Sequence, residues 1–161
     1  MRYLDSKANS NKMKKELSDY QSWVKANKSK RFSLLDYVHA KLNFDNISPD
    51  LAVALLQLYW PTFHEVDGFV FLKEEFSEKK YREVISNNEV QLEYWMNLIS
   101  IESICSSATS KVQEYIAIRL TEMWRAKLKI DFPEKSFIVK KINDEGEVFC
   151  VFYQPKFESV I

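Results

Sequence analysis

Apolar positions recur at helical spacing along most of this chain and change to alternation in two short stretches. Met13, Leu17, Tyr20 and Val24, with Trp23 beside them, set the first stripe, and Lys12, Lys14, Lys15, Lys25 and Lys28 lie off it. That pattern predicts a basic amphipathic helix over 12–28, after a polar terminus at 1–11 expected to fray. Leu34, Leu35, Val38 and Leu42 keep the same period behind Ser33 and Asp36, a capping-box pair, and predict a helix over 33–43. The next start is Ser48-Pro49-Asp50, a hydroxyl that can cap, a proline suited to the first helical position and a carboxylate suited to the positive end of the dipole. From Leu51 to Leu58 only Gln57 is polar, so this helix is expected to be enclosed by other elements.

Pro61 lacks a backbone donor and disfavours helical geometry at Trp60, so the helix should end there. Asp67-Gly68 then reads as a two-residue type I′ turn inside a hairpin near 63–72, because both central residues of that turn need positive φ. Phe76 and Tyr81 flank Ser77 as a hydrophobic staple around a cap, predicting a helix to about Ser86. Asn87-Asn88 interrupts it. Asn88 with Gln91 can start the next helix, whose face carries Leu92, Trp95, Met96 and Ile99 and which ends at Cys105. After a loop at 106–110, Ser110 with Gln113 opens the longest helix, faced by Val112, Ile116, Leu120, Met123, Trp124 and Leu128. Pro133 stops it, leaving a rod of roughly 30 Å. The chain closes on a hairpin, 137–153, whose turn Asn143-Asp144-Glu145-Gly146 suits a type I turn with a glycine bulge. That turn would set Ile138 opposite Phe152 and Val139 opposite Val151, with both faces of the hairpin covered. The order of elements predicts an α+β fold: a single domain over 12–161 with about six helices packed on antiparallel hairpins.

At 161 residues, 46% hydrophobic and 29% charged, with 23 aromatic side chains, the chain can bury a full core without disulfide or metal support. The zero net charge conceals an asymmetry. Residues 1–31 hold nine Lys and Arg against three Asp and Glu, and the remaining residues hold fourteen against twenty. A basic segment of this kind suits nucleic acid or an anionic membrane surface, or it can lie against the chain's own acidic part. It is rich in lysine and poor in arginine, which weighs against base-specific readout. Two cysteines, Cys105 and Cys150, make no disulfide framework, and there is no apolar run of about 18 residues to span a membrane, so a cytoplasmic setting is expected.

The chemistry sought is mostly missing. The only glycines, Gly68 and Gly146, are committed to turns, so a Walker loop, a dinucleotide-binding GxGxxG and a GxSxG elbow are all absent. Two histidines and two cysteines with no pair at ligand spacing argue against zinc, and no cofactor is expected. His64-Glu65-Val66-Asp67 is the densest polar cluster, but strand alternation sends His64 and Glu65 to opposite faces. His39, on a helix flank between Leu35 and Leu42, reads as a packing residue.

Three functions fit this inventory. The first is a non-enzymatic protein-interaction module, an accessory subunit or an immunity-like inhibitor, whose Glu74, Glu75, Glu78, Glu89 and Glu93 would face a basic protein partner. The second is a metal-independent hydrolase such as a ribonuclease, centred on His64 with Glu65 or Asp67 and a cation from Arg82 or Arg119. The third is nucleic-acid or membrane-surface binding through residues 1–31.

Overall fold

Helices and antiparallel strands form where the apolar period changes, and the fold is α+β. The computed structural model describes residues 11–27, 32–45, 47–86 and 91–155. In chain order the elements are α1 (Ser18–Ala26), α2 (Leu34–Phe44), α3 (Pro49–Tyr59), β1 (Phe63–Val66), β2 (Phe69–Leu72), α4 (Glu78–Ser86), α5 (Leu92–Met96), β3 (Ile99–Ser100), α6 (Ile101–Ile104), α7 (Ser110–Asp131), β4 (Ile138–Asp144) and β5 (Glu147–Tyr153). β1 and β2 form a hairpin, and β3, β5 and β4, in that spatial order, form a second antiparallel sheet. The chain divides into two units, residues 1–54 and 55–161.

In the first unit the predicted capping box is present: the Ser33 hydroxyl accepts from the Asp36 N–H (3.2 Å), and Asp36 Oδ2 accepts from the Ser33 N–H (2.8 Å). Tyr20 is buried and donates its hydroxyl to the Phe32 carbonyl (3.1 Å), while Trp23 packs edge-on against Phe32 and Tyr37. The Tyr37 hydroxyl and the Lys41 ammonium both reach Asp19, at 3.0 and 3.3 Å, and these contacts hold its carboxyl below the usual range. The basic stretch expected to be one helix over 12–28 is instead broken at 15–17, ahead of α1. Residues 1–10 and 28–31 of that stretch lie outside the described residues.

In the second unit α7 packs on the sheet. Leu120, Trp124 and Leu128 are buried against Val139, Val148, Cys150 and Phe152, with Phe63, Phe132 and Phe137 around them. Trp124 Nε1 donates to the Leu58 carbonyl (2.9 Å), tying the end of α3 to this core. A second cluster, Phe71, Tyr81, Leu92 and Met96, sits on the first hairpin, and the Phe76–Tyr81 staple is formed with ring centroids 5.8 Å apart. Asp67 and Gly68 take φ of 51° and 81°, so the Asp-Gly turn is as expected.

Several expectations are corrected. None of the residues of α3 is buried, although it was expected to be enclosed: Leu51, Val53, Leu55 and Leu56 are all exposed, Leu56 at 63%. Leu35 and Val38 are likewise exposed, and so is Trp95, whose spacing predicts a core face. Ile99 lies in β3 and not in the preceding helix, because that helix stops at Met96. Thr109, not Ser110, is the residue before α7, and it makes no side-chain cap. The core face of α7 also runs through Gln113, Ala117 and Thr121, while Met123 is exposed. In the last hairpin Asp144 pairs with Glu147, leaving a two-residue turn in which Glu145 and Gly146 both have positive φ. Ile138 therefore faces Tyr153 and Val139 faces Phe152. The predicted four-residue turn misplaced the register by one residue, which exchanges the strand's two faces.

Candidate partner-binding surface

Two polar side chains of α5 and its end organise the second unit. Glu93 and Asn97 are one helical turn apart, beside Leu92 and Met96, and both are almost fully buried. Glu93 Oε1 accepts from the Val70 N–H (2.6 Å) and from Gln154 Nε2 (2.7 Å), and Oε2 accepts from the Gln154 N–H (2.6 Å). Asn97 Oδ1 accepts from the Leu72 N–H (3.0 Å), and its amide donates to the carbonyls of Val70 (2.8 Å) and Phe152 (3.3 Å). Gln154 Nε2 also donates to the Gly68 carbonyl (2.8 Å). These side chains occupy the edge of β2 away from β1, where a further strand would otherwise pair, and connect it to the end of β5. Buried backbone groups are thereby satisfied without a continuous sheet.

This network places the rim of a cleft. Asn97 holds Leu72 by its N–H, the chain turns at once through Lys73, Glu74 and Glu75, and the Glu75 N–H returns to the Leu72 carbonyl (3.2 Å). Two residues beyond Asn97, Ile99 enters β3. Leu58, Pro61, Leu72 and Ile99 supply the apolar walls of a cleft of about 140 Å³, and Gln57, Thr62, Lys73, Glu74 and Glu75 complete its lining. Beside it the last turn of α3 and the residue that follows it present Leu55, Leu56 and Trp60 to solvent, with Leu56 and Trp60 four apart. The Lys127 ammonium lies 5.8 Å from the Trp60 ring centre.

The residues expected to serve a hydrolase are held in separate local contacts. His64 is exposed, opposite Phe71 in the hairpin, with its ring edge-on to Phe76 at 4.9 Å. Glu65 sits opposite Val70 and pairs with Lys135 at 2.6 Å. Asp67 accepts from the Tyr81 hydroxyl (2.7 Å); burial, reinforced by this bond, pushes the Tyr81 phenol up to about 12. Arg82 pairs with Glu78, and Arg119 with Glu122 and the Tyr115 ring. Among the described residues no hydrogen bond or ion pair joins His64 to any of these groups.

Of the acidic residues expected on an outer face, Glu74, Glu75 and Glu78 are exposed, Glu89 lies outside the described residues, and Glu93 is buried in the network above. Glu93 and Asn97 share the buried side of α5 with Leu92 and Met96, a spacing too short in sequence to outweigh the usual exposure of glutamate. Cys150 is buried in β5 with its Sγ 3.5 Å from the Ala117 carbonyl, and burial pushes its thiol up to about 12. Among the described residues no three His, Cys, Asp or Glu side chains are grouped to hold a metal ion, and no helix is long and apolar enough to cross a membrane. The fold and surface thus define an α+β protein with a side-chain-sealed hairpin and a small apolar cleft. Comparison with protein families, with curated proteins and with solved structures finds no match for this chain.

Proposed function

We propose that this chain is a protein-interaction module, an accessory subunit or an inhibitor of a protein partner, engaging that partner through the last turn of α3. The observation that supports this reading is the solvent exposure of Leu55, Leu56 and Trp60 within the most apolar run of the sequence. Large apolar side chains grouped on one surface mark contact sites more often than isolated ones do. Trp60 is also of the residue type that most often anchors an interface.

The test is affinity purification from the cells that make the protein, comparing the natural chain with Leu56→Asp. Because Leu56 is mostly exposed, the substitution should leave the unfolding midpoint nearly unchanged. A stoichiometric partner retained by the natural chain and lost by Leu56→Asp supports the reading. A partner held equally by both, or a monodisperse monomer with no stoichiometric partner, refutes it.

A further inference from the structure

The cleft beside α3 has a size and a charge that define what would fill it. Its walls are the side chains of Leu58, Pro61, Leu72 and Ile99, and its volume is about 140 Å³. An apolar cavity of roughly 150 Å³ is known to accept benzene, so the space matches one aromatic or branched aliphatic side chain. The rim is not neutral. Glu74 and Glu75 stand against the single ammonium of Lys73, and residues 55–161 as a whole hold seventeen Asp and Glu against thirteen Lys and Arg.

Several glutamates of this unit have cations: Glu65 has Lys135, Glu78 has Arg82, Glu83 has Lys79, Glu114 has Lys141 and Glu122 has Arg119, whereas the exposed Glu102, Glu134, Glu145 and Glu147 have none among the described residues and lie away from the cleft lining. Glu74 and Glu75 make no ion pair among the described residues. Both residues sit on the turn that follows Leu72, whose N–H is held by Asn97, and both line the cleft.

Resting on the interaction-module reading, we infer that the cleft takes one apolar side chain of a protein partner whose neighbouring residues are cationic, with Glu74 and Glu75 reading that charge. The apolar side chain supplies contact and the carboxylates supply selection. An exposed ion pair changes affinity only severalfold, so the two carboxylates should separate a basic from an acidic flank by about three- to tenfold.

The experiment is an NMR titration of the full chain, following backbone amides, with three capped tripeptides: lysine-phenylalanine-lysine, glutamate-phenylalanine-glutamate and lysine-alanine-lysine. The first should move the amides of Thr62, Leu72, Glu74, Glu75 and Ile99 and saturate. The second should bind about three- to tenfold more weakly, and the third should move none of them. In the double variant Glu74→Lys with Glu75→Lys, whose spectrum reports its own folding, the order of the first two should reverse. Absence of shifts with the first peptide, or a preference untouched by the double variant, overturns the inference. If the cleft is silent while Leu56→Asp abolishes partner capture, this inference alone fails. If the cleft selects as stated but partner capture ignores Leu56→Asp, the functional reading fails and the cleft stands.

Discussion

Glu93 is the residue whose removal should damage this fold out of proportion to its size. Alanine there takes away the acceptor for the Val70 N–H, the Gln154 N–H and the Gln154 side-chain amide, all in buried surroundings. The Gln154 amide keeps the Gly68 carbonyl, but two backbone donors are left with nothing. Each buried, unsatisfied donor costs about 1–3 kcal/mol, and the space vacated by the carboxylate adds a cavity term. Glu93→Ala should therefore destabilise the chain by about 3–6 kcal/mol, a large share of the 5–15 kcal/mol typical of a domain. Glu93→Gln keeps one acceptor oxygen and turns an NH₂ toward a donor, so it should cost less, about 1–3 kcal/mol. Urea unfolding followed by tryptophan fluorescence gives both values, with the slope expected to stay constant. Amide exchange supplies the local signature: Val70 and Gln154 should lose protection in Glu93→Ala before the Leu120–Leu128 segment of α7 does. A loss below about 1 kcal/mol for Glu93→Ala, or unchanged protection at Val70, would refute the account of how the hairpin is held.

Two further outcomes follow from single groups. The buried Cys150 thiol, raised from 9.0 to about 12, loses its proton more readily in the unfolded chain. Its stabilising contribution is thus complete below pH 9 and disappears as pH rises toward 12, by up to about 4 kcal/mol. Tyr81, raised from 10.0 to about 12, acts in the same direction from pH 10 upward. Urea unfolding at pH 8, 10 and 11.5 should show falling stability, and Cys150→Ala should flatten the fall above pH 9; parallel profiles would contradict this. At the second turn, Gly146→Ala places a Cβ on a residue with φ of 91°, which should lower stability by about 1–2 kcal/mol. Glu145→Asn, at φ 47°, should raise it by a few tenths, since asparagine tolerates that region better. The thermal midpoints of the two variants should fall on opposite sides of the natural chain's.

Local chemistry was the legible part of this fold. The capping pair Ser33–Asp36, the Asp67-Gly68 turn and the Phe76–Tyr81 staple all depend on residues a few positions apart, and all form as read. The second hairpin shows where that ends. Asn143 and Gly146 fit a longer turn just as well, and only the adoption of positive φ by Glu145, a residue that seldom takes it, shortened the loop and moved the register. Glu93 was misassigned for a different reason. Glutamate is almost always exposed, and a five-residue helix offers too few positions for a period to outvote that expectation. What draws it inward is the set of unpaired donors on β2 and β5, a demand created by tertiary placement.

The exposure of α3 carries the functional argument because it departs from what its composition implies. A run from Leu51 to Leu58 with one polar residue would be expected to find its cover within the chain, yet Leu55, Leu56 and Trp60 remain open to solvent. Fully burying a leucine contributes about 1.5–3 kcal/mol. Covering the open fractions of these three side chains would contribute roughly 3–5 kcal/mol before the costs of association, at most about two to three and a half decades of affinity. That contribution is available to a partner without any cost to the core, because the end of α3 is already anchored from behind by the Trp124–Leu58 hydrogen bond. The same separation makes the reading testable: charge placed at Leu56 should leave folding intact and remove association, whereas charge placed at Leu120 or Trp124 should unfold the chain and abolish both.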